Sequence, residues 1–160
     1  KIFVLLVNNT QYGMTGGQYT TNTPSGDLAT TCPYGNIDSP FDICQLAIGA
    51  GSTFVSRTTA FHSLEIQNLF KEAIMHSGFS VLEVFSACPV IYGRLNKKGS
   101  PSRMMEHMRD NSISVKAVDK LPPEKVENKI IRGILKQDKN KPEYTACYAQ
   151  LVESLRDKEA

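Results

Sequence analysis

Lys1-Ile-Phe-Val-Leu-Leu-Val7, running directly into Asn8-Asn9-Thr10-Gln11-Tyr12-Gly13, is the stretch on which the fold turns. Ile2 to Val7 is aliphatic or aromatic throughout, with no polar alternation. That pattern predicts a central strand of a parallel sheet covered on both faces. The run lacks the basic start and small-residue cleavage site of a secretion signal. The chain has no initiating Met and opens inside the strand, so an N-terminal part is expected to precede it.

Residues 8–40 are rich in Asn, Thr, Gly and Pro and poor in large aliphatics, which predicts one long loop. Loops of that length in a compact domain are usually functional or disordered. An Asn pair directly after a buried strand can present oxygen ligands, and magnesium favours oxygens shared with phosphate and water. Gly13, Gly16 and Gly17 let backbone N–H groups approach a phosphate, although a plain Asn-Gly turn fits the same residues.

Downstream, Phe41–Ala50 reads as a short helix with Asp42 suited to its N-terminal dipole, and Thr53–Arg57 as a strand. Ser63–Ser77 is the clearest helix: Ile66, Leu69, Phe70, Ala73 and Ile74 share one face, with Ser63 as N-cap and Gly78 just past the end. Phe79–Phe85 is the next strand, and Glu83 within it needs a buried partner that Arg57 could supply. Strand, loop, helix, strand, helix, strand predicts an α/β fold: a parallel sheet with flanking helices and right-handed crossovers. Ligands in such sheets bind beyond the carboxyl ends of the strands, where the Asn8 loop and the Ser86–Pro89 turn both lie.

After Arg94 the composition changes. Residues 1–93 carry 3 basic and 6 acidic side chains, and residues 94–160 carry 15 basic and 10 acidic, within a net charge of +2. The division predicts one domain over 1–93 and a basic, mostly helical C-terminal extension over 94–160. Helices are expected at Pro101–Arg109, at Lys125–Lys136 and at Tyr144–Arg156, the last with Tyr148, Leu151, Val152 and Leu155 on one side. Met104, Met105 and Met108 suit a packed helix face, and His62, His76 and His107 show no paired metal-site spacing. The basic tail has no aromatic interleaving, so no nucleic-acid partner is expected. No run reaches the ~18 apolar residues of a membrane span. Cys32, Cys44, Cys88 and Cys147 include no CxxC pair; with no secretion signal, free thiols in a cytoplasmic protein are expected.

The quoted loop belongs to a larger set of motifs. NN-x-x-YGMTGGQ from Asn8 to Gln18 is followed by Thr23-Pro24, Pro33-Tyr-Gly-Asn36 and Pro40-Phe-Asp-Ile43. Ala47 to Arg57, the helix opened by His62, EVFSACPxxYGRxN from Glu83 to Asn96, and EYTxxYxxL from Glu143 to Leu151 complete them. Together they resemble the thiamine-diphosphate-binding β subunit of 2-oxoacid:ferredoxin oxidoreductases, C-terminal portion, and most of all the 2-oxoglutarate branch. The resemblance implies the C-terminal half of the thiamine-diphosphate-binding fold. It also implies oxidative decarboxylation of 2-oxoglutarate to succinyl-CoA, with coenzyme A as acyl acceptor, ferredoxin as electron acceptor and an α subunit as partner. It assigns Asn9 (side chain) and Gln11 (backbone carbonyl) to Mg²⁺, and Tyr12, Gly13, Met14 and Thr15 to thiamine diphosphate. It assigns Cys88 to a [4Fe–4S] cluster whose other cysteines lie outside this chain, thiolates being the usual ligands. The GDG segment that completes the metal motif in the family is not among these residues, and some members carry Lys at the position of Gly16. Pyruvate or branched-chain 2-oxoacids as substrates, and a non-catalytic fragment that only docks to a partner, are the alternatives.

Overall fold

A computed structural model describes the backbone of residues 1–159 and the side chains of residues 1–156. β1 (Ile2–Asn8) leads into the long loop, then α1 (Ile43–Gly49), β2 (Phe54–Thr59), α2 (Ser63–Met75) and β3 (Phe79–Phe85). A π-helical turn (Pro89–Gly93), α3 (Pro101–Asp110), β4 (Ser112–Ser114), α4 (Val115–Val118), α5 (Pro123–Val126), β5 (Ile130–Gln137) and α6 (Tyr144–Glu159) follow. The five strands form one sheet in the order β1-β3-β2-β5-β4. β1 and β2 flank β3 in parallel, pairing Asn8 with Phe85 and Thr59 with Phe85 at their carboxyl ends.

The parallel α/β core agrees with the sequence reading, and its covered centre is β3. Five of the seven residues of β3 are buried, whereas β1 lies at the sheet edge with only β3 beside it. Ile2, Val4, Leu5 and Val7 are 62%, 38%, 44% and 57% exposed, so β1 is apolar but not central within the described sheet. Leu69 of α2 packs on Leu82 and Val84 of β3, with Phe3, Ile66 and Ile134 around them. Phe3 meets Phe70 edge to face at 5.1 Å.

Three local expectations are corrected. His62, not Ser63, occupies the N-cap of α2, and its Nδ1 pairs with Thr59 Oγ1 at 2.8 Å instead of capping the helix. Gly78 does not cap α2. It sits at φ +142, where an added Cβ would lie 2.4 Å from Thr53 Oγ1, so it permits a close crossing. Lys125–Lys136 is helical only at Lys125 and Val126, which end α5; from Ile130 it is β5, antiparallel to β2 with a register shift at Val55/Ser56. Its three β-branched Ile residues suit a pleated surface, and Gly133 at φ +122 cannot sit inside a right-handed helix. Residues from the extension therefore enter the same sheet as residues 1–85. The apolar side of α6 is open, with Tyr148, Leu151 and Leu155 all more than half exposed. No helix among the described residues is long and apolar enough to cross a membrane.

Candidate functional site

The loop after β1 turns sharply because Asn8 spends its side chain on the backbone. Asn8 is buried, and its Oδ1 accepts from Thr10 N at 2.9 Å, an Asx-type turn that holds Thr10 at φ +62. This left-handed step is costly for a β-branched residue. Thr10 Oγ1 then donates to Asn9 O at 2.6 Å, and Thr10 O accepts from Thr23 Oγ1 at 2.7 Å. The turn leaves the half-buried Asn9 on the wall of a cavity of about 390 Å³ beyond the carboxyl end of β1. Gln11, Tyr12, Gly13, Met14 and Thr15 line the same cavity. The tip is open to solvent, with Tyr12 61% exposed and Met14 fully so. All six residues predicted around this loop therefore come together.

Cys88 lies beside them. Gln11 Nε2 donates to Cys88 Sγ at 3.3 Å, and a Cβ on Gly13 would be 3.4 Å from that sulfur. Burial works against ionising Cys88, but the N–H groups of Tyr92, Ile91 and Val90 and the Gln11 amide hold its thiol below the ordinary range. The sulfur thus suits a thiolate ligand. The other cysteines do not gather there: among the described residues no three His, Cys, Asp or Glu side chains come together as a metal site. Cys44, in α1, is buried, and its thiol is pushed up to about 12, first by that burial.

The EVFSACPxxYGRxN segment does more than carry Cys88. Asn96 clamps the loop at both polar atoms of one residue, accepting from Leu28 N at 2.7 Å and donating to Leu28 O at 2.9 Å. Tyr92 donates to Asp27, and Lys98 pairs with Asp27 at 3.0 Å. Burial and Asp27 both raise the Tyr92 phenol, so it remains a donor. Gly17, at φ +83, lets the loop lie against Ile91: a Cβ there would be 2.4 Å from Ile91 Cγ2. Gly16 sits at φ +118, a conformation that side-chain-bearing residues rarely adopt.

Beneath the loop lies a buried ionic network that spacing alone did not reveal. Glu83, 1% exposed, accepts from Arg57 Nε at 2.7 Å and from Asn8 Nδ2 at 2.8 Å. Arg57 also pairs with Asp42, whose Oδ1 caps α1 by accepting from Gln45 N at 2.9 Å. The expected Arg57–Glu83 pair is present. Asn8, Tyr92 and Asn96 are visible in the motifs, but their contacts with Glu83, Asp27 and Leu28 bridge 65 or more positions.

A mostly parallel α/β sheet with a cavity beyond a strand's carboxyl end is the architecture in which open α/β folds bind their ligands. Residues 1–84 match the family model described as "Thiamine pyrophosphate enzyme, C-terminal TPP binding domain", and the chain belongs to that family. Within it, the chain is 44% identical over 130 residues to the 2-oxoglutarate synthase subunit KorB of Methanothermobacter marburgensis, covering 81% of this chain and 46% of that one. It is 39% identical over 153 residues to the KorB subunit of Methanocaldococcus jannaschii, covering 96% and 56% respectively. A solved structure described as 2-oxoglutarate:ferredoxin oxidoreductase from Magnetococcus marinus with 2-oxoglutarate, coenzyme A and succinyl-CoA bound superposes with TM-score 0.77 at 25% identity. That match covers 96% of this chain and 52% of the other. The chain thus spans about half the length of the relatives it matches.

Proposed function

We propose that this chain supplies half of the thiamine-diphosphate site in the β subunit of a cytoplasmic 2-oxoglutarate:ferredoxin oxidoreductase that forms succinyl-CoA. The observation that carries this reading is the cavity beyond β1, walled by residues 9–15 of the family's loop. Asn9 fits as a metal ligand: it lines the cavity, and with its backbone carbonyl taken by Thr10 its side-chain oxygen would be the one offered to the metal. The Gln11 carbonyl would be a second oxygen ligand to Mg²⁺, and Tyr12, Gly13, Met14 and Thr15 would surround the diphosphate. Thiamine diphosphate, when bound, supplies the carbanion chemistry that removes carbon dioxide from a 2-oxoacid. The chain's own contribution is to hold the metal oxygens and bring backbone N–H groups to the diphosphate.

Cys88, with its thiol held down by three N–H groups and Gln11, would be one thiolate ligand of a [4Fe–4S] cluster that passes electrons to ferredoxin. Residues 1–93 form the cofactor half in this reading and residues 94–160 the extension. An α subunit, 2-oxoglutarate and coenzyme A complete the assembly. Titrating thiamine diphosphate into the assembled enzyme in Mg²⁺, then assaying 2-oxoglutarate, pyruvate and branched-chain 2-oxoacids, tests the reading. Binding with a preference for 2-oxoglutarate is expected, and absence of binding would sink it.

A further inference from the structure

We infer that Glu83 is a positioning residue for the thiamine-diphosphate loop, acting through the side-chain amide of Asn8; the inference rests on the cofactor reading above. Each polar neighbour of Glu83 is a donor: Arg57 Nε at 2.7 Å, Asn8 Nδ2 at 2.8 Å and Cys44 Sγ at 3.4 Å. An Asn amide has one donor end and one acceptor end. A carboxylate opposite Nδ2 therefore decides which way the Asn8 amide faces, and leaves Oδ1 for the Thr10 N–H at 2.9 Å. That bond holds Thr10 at φ +62, and the turn it makes sets the direction of Asn9 and Gln11. Arg57 fixes the carboxylate in turn, and its link to Asp42 ties the network to the cap of α1. Every member is engaged, which is the condition for a buried polar network to impose one arrangement.

The logic is one of hydrogen-bond polarity, so it can be reversed. In Glu83→Gln the new amide opposes the Asn8 amide and no longer dictates its orientation. In Asn8→Asp two carboxylates face each other in a buried site. The double variant Asn8→Asp/Glu83→Gln exchanges the two roles. Its amide at position 83 donates to its carboxylate at position 8, and that carboxylate still accepts from the Thr10 N–H. Calorimetric titration of thiamine diphosphate at saturating Mg²⁺, on the assembled enzyme, reads the effect. Each single variant is expected to weaken binding about tenfold, and the double variant to restore most of it. A merely structural contact would lower melting temperatures and leave the dissociation constant of the folded enzyme unchanged; that outcome overturns the inference, as does a double variant that folds but stays weak. Asn9→Ala, titrated alongside at the Mg²⁺ concentration that half-saturates the wild type, separates the two failures. If it loses binding while Glu83→Gln keeps it, only this inference fails; if it binds normally, the cofactor reading fails.

Discussion

Gly17, Asn9 and Cys88 lie within one loop and its neighbouring turn, yet each is constrained by a different physical quantity. At Gly17 the constraint is space. Gly17→Ala places a Cβ against Ile91 at positive φ, and a cost of about 1–3 kcal/mol is expected, read as a lower urea midpoint at unchanged slope. At Asn9 it is an oxygen atom. Asn9→Ala should raise the Mg²⁺ concentration for half-saturation about tenfold or more, while the melting temperature without cofactor stays near wild type. At Cys88 it is charge. Its thiol is held below the ordinary range and that of Cys44 is pushed up to about 12, so at about pH 7.5 iodoacetamide should label Cys88 and leave Cys44 unlabelled in the native chain. Mass mapping of the labelled peptides checks this. The loop itself is legible in the sequence, because an Asn pair and three glycines directly after an apolar strand mark a turn in which backbone can approach a ligand closely. The role of Asn8 is not: its partner Glu83 is 75 positions away, and only the sheet register places the two together.

At the scale of elements, a strong period in the sequence translates directly into structure, and tertiary contact decides the rest. β3 matches its predicted span residue for residue, because an apolar run closed by a Cys-Pro turn leaves little freedom. β5 reads as a helix in sequence because Lys and Arg dilute its pattern, and pairing with β2 decides its form. The π-helical turn and the segment leading to α3 hold the loop through Tyr92, Asn96 and Lys98. Asn96→Ala removes both clamps on Leu28 and leaves that backbone unpaired. A loss of about 1–3 kcal/mol is expected, with faster amide exchange at Leu28 and its neighbours in hydrogen-exchange mass spectrometry.

Over the whole molecule, two histidines set an acid limit. His62 and His76 are both held below their ordinary value of 6.5, by burial first in each case. A histidine with a depressed folded-state pKa takes up its proton more readily when unfolded. Stability is therefore full well above pH 6.5 and falls as the pH drops through that value toward the lower folded-state pKa. Denaturation at about pH 7.5 and about pH 5.5 checks the sign, and His76→Gln should flatten the difference. The open apolar edge of β1 is not legible in the sequence, because a run that reads as buried says nothing about which segment buries it.

The clamps on the loop join positions far apart in the chain: Gln11 to Cys88, Asp27 to Tyr92 and Leu28 to Asn96 are separated by 77, 65 and 68 residues. Contacts of such long range carry a loop-closure cost, and the pairing of β1 with β3, which joins Ile2 to Phe79 and Asn8 to Phe85, spans the same distance along the chain. Once the two strands are paired, the ends that the clamps join are already near one another, so the loop can close on a finished sheet. A ligand held by the closed loop would add its binding free energy to the completed fold by mass action.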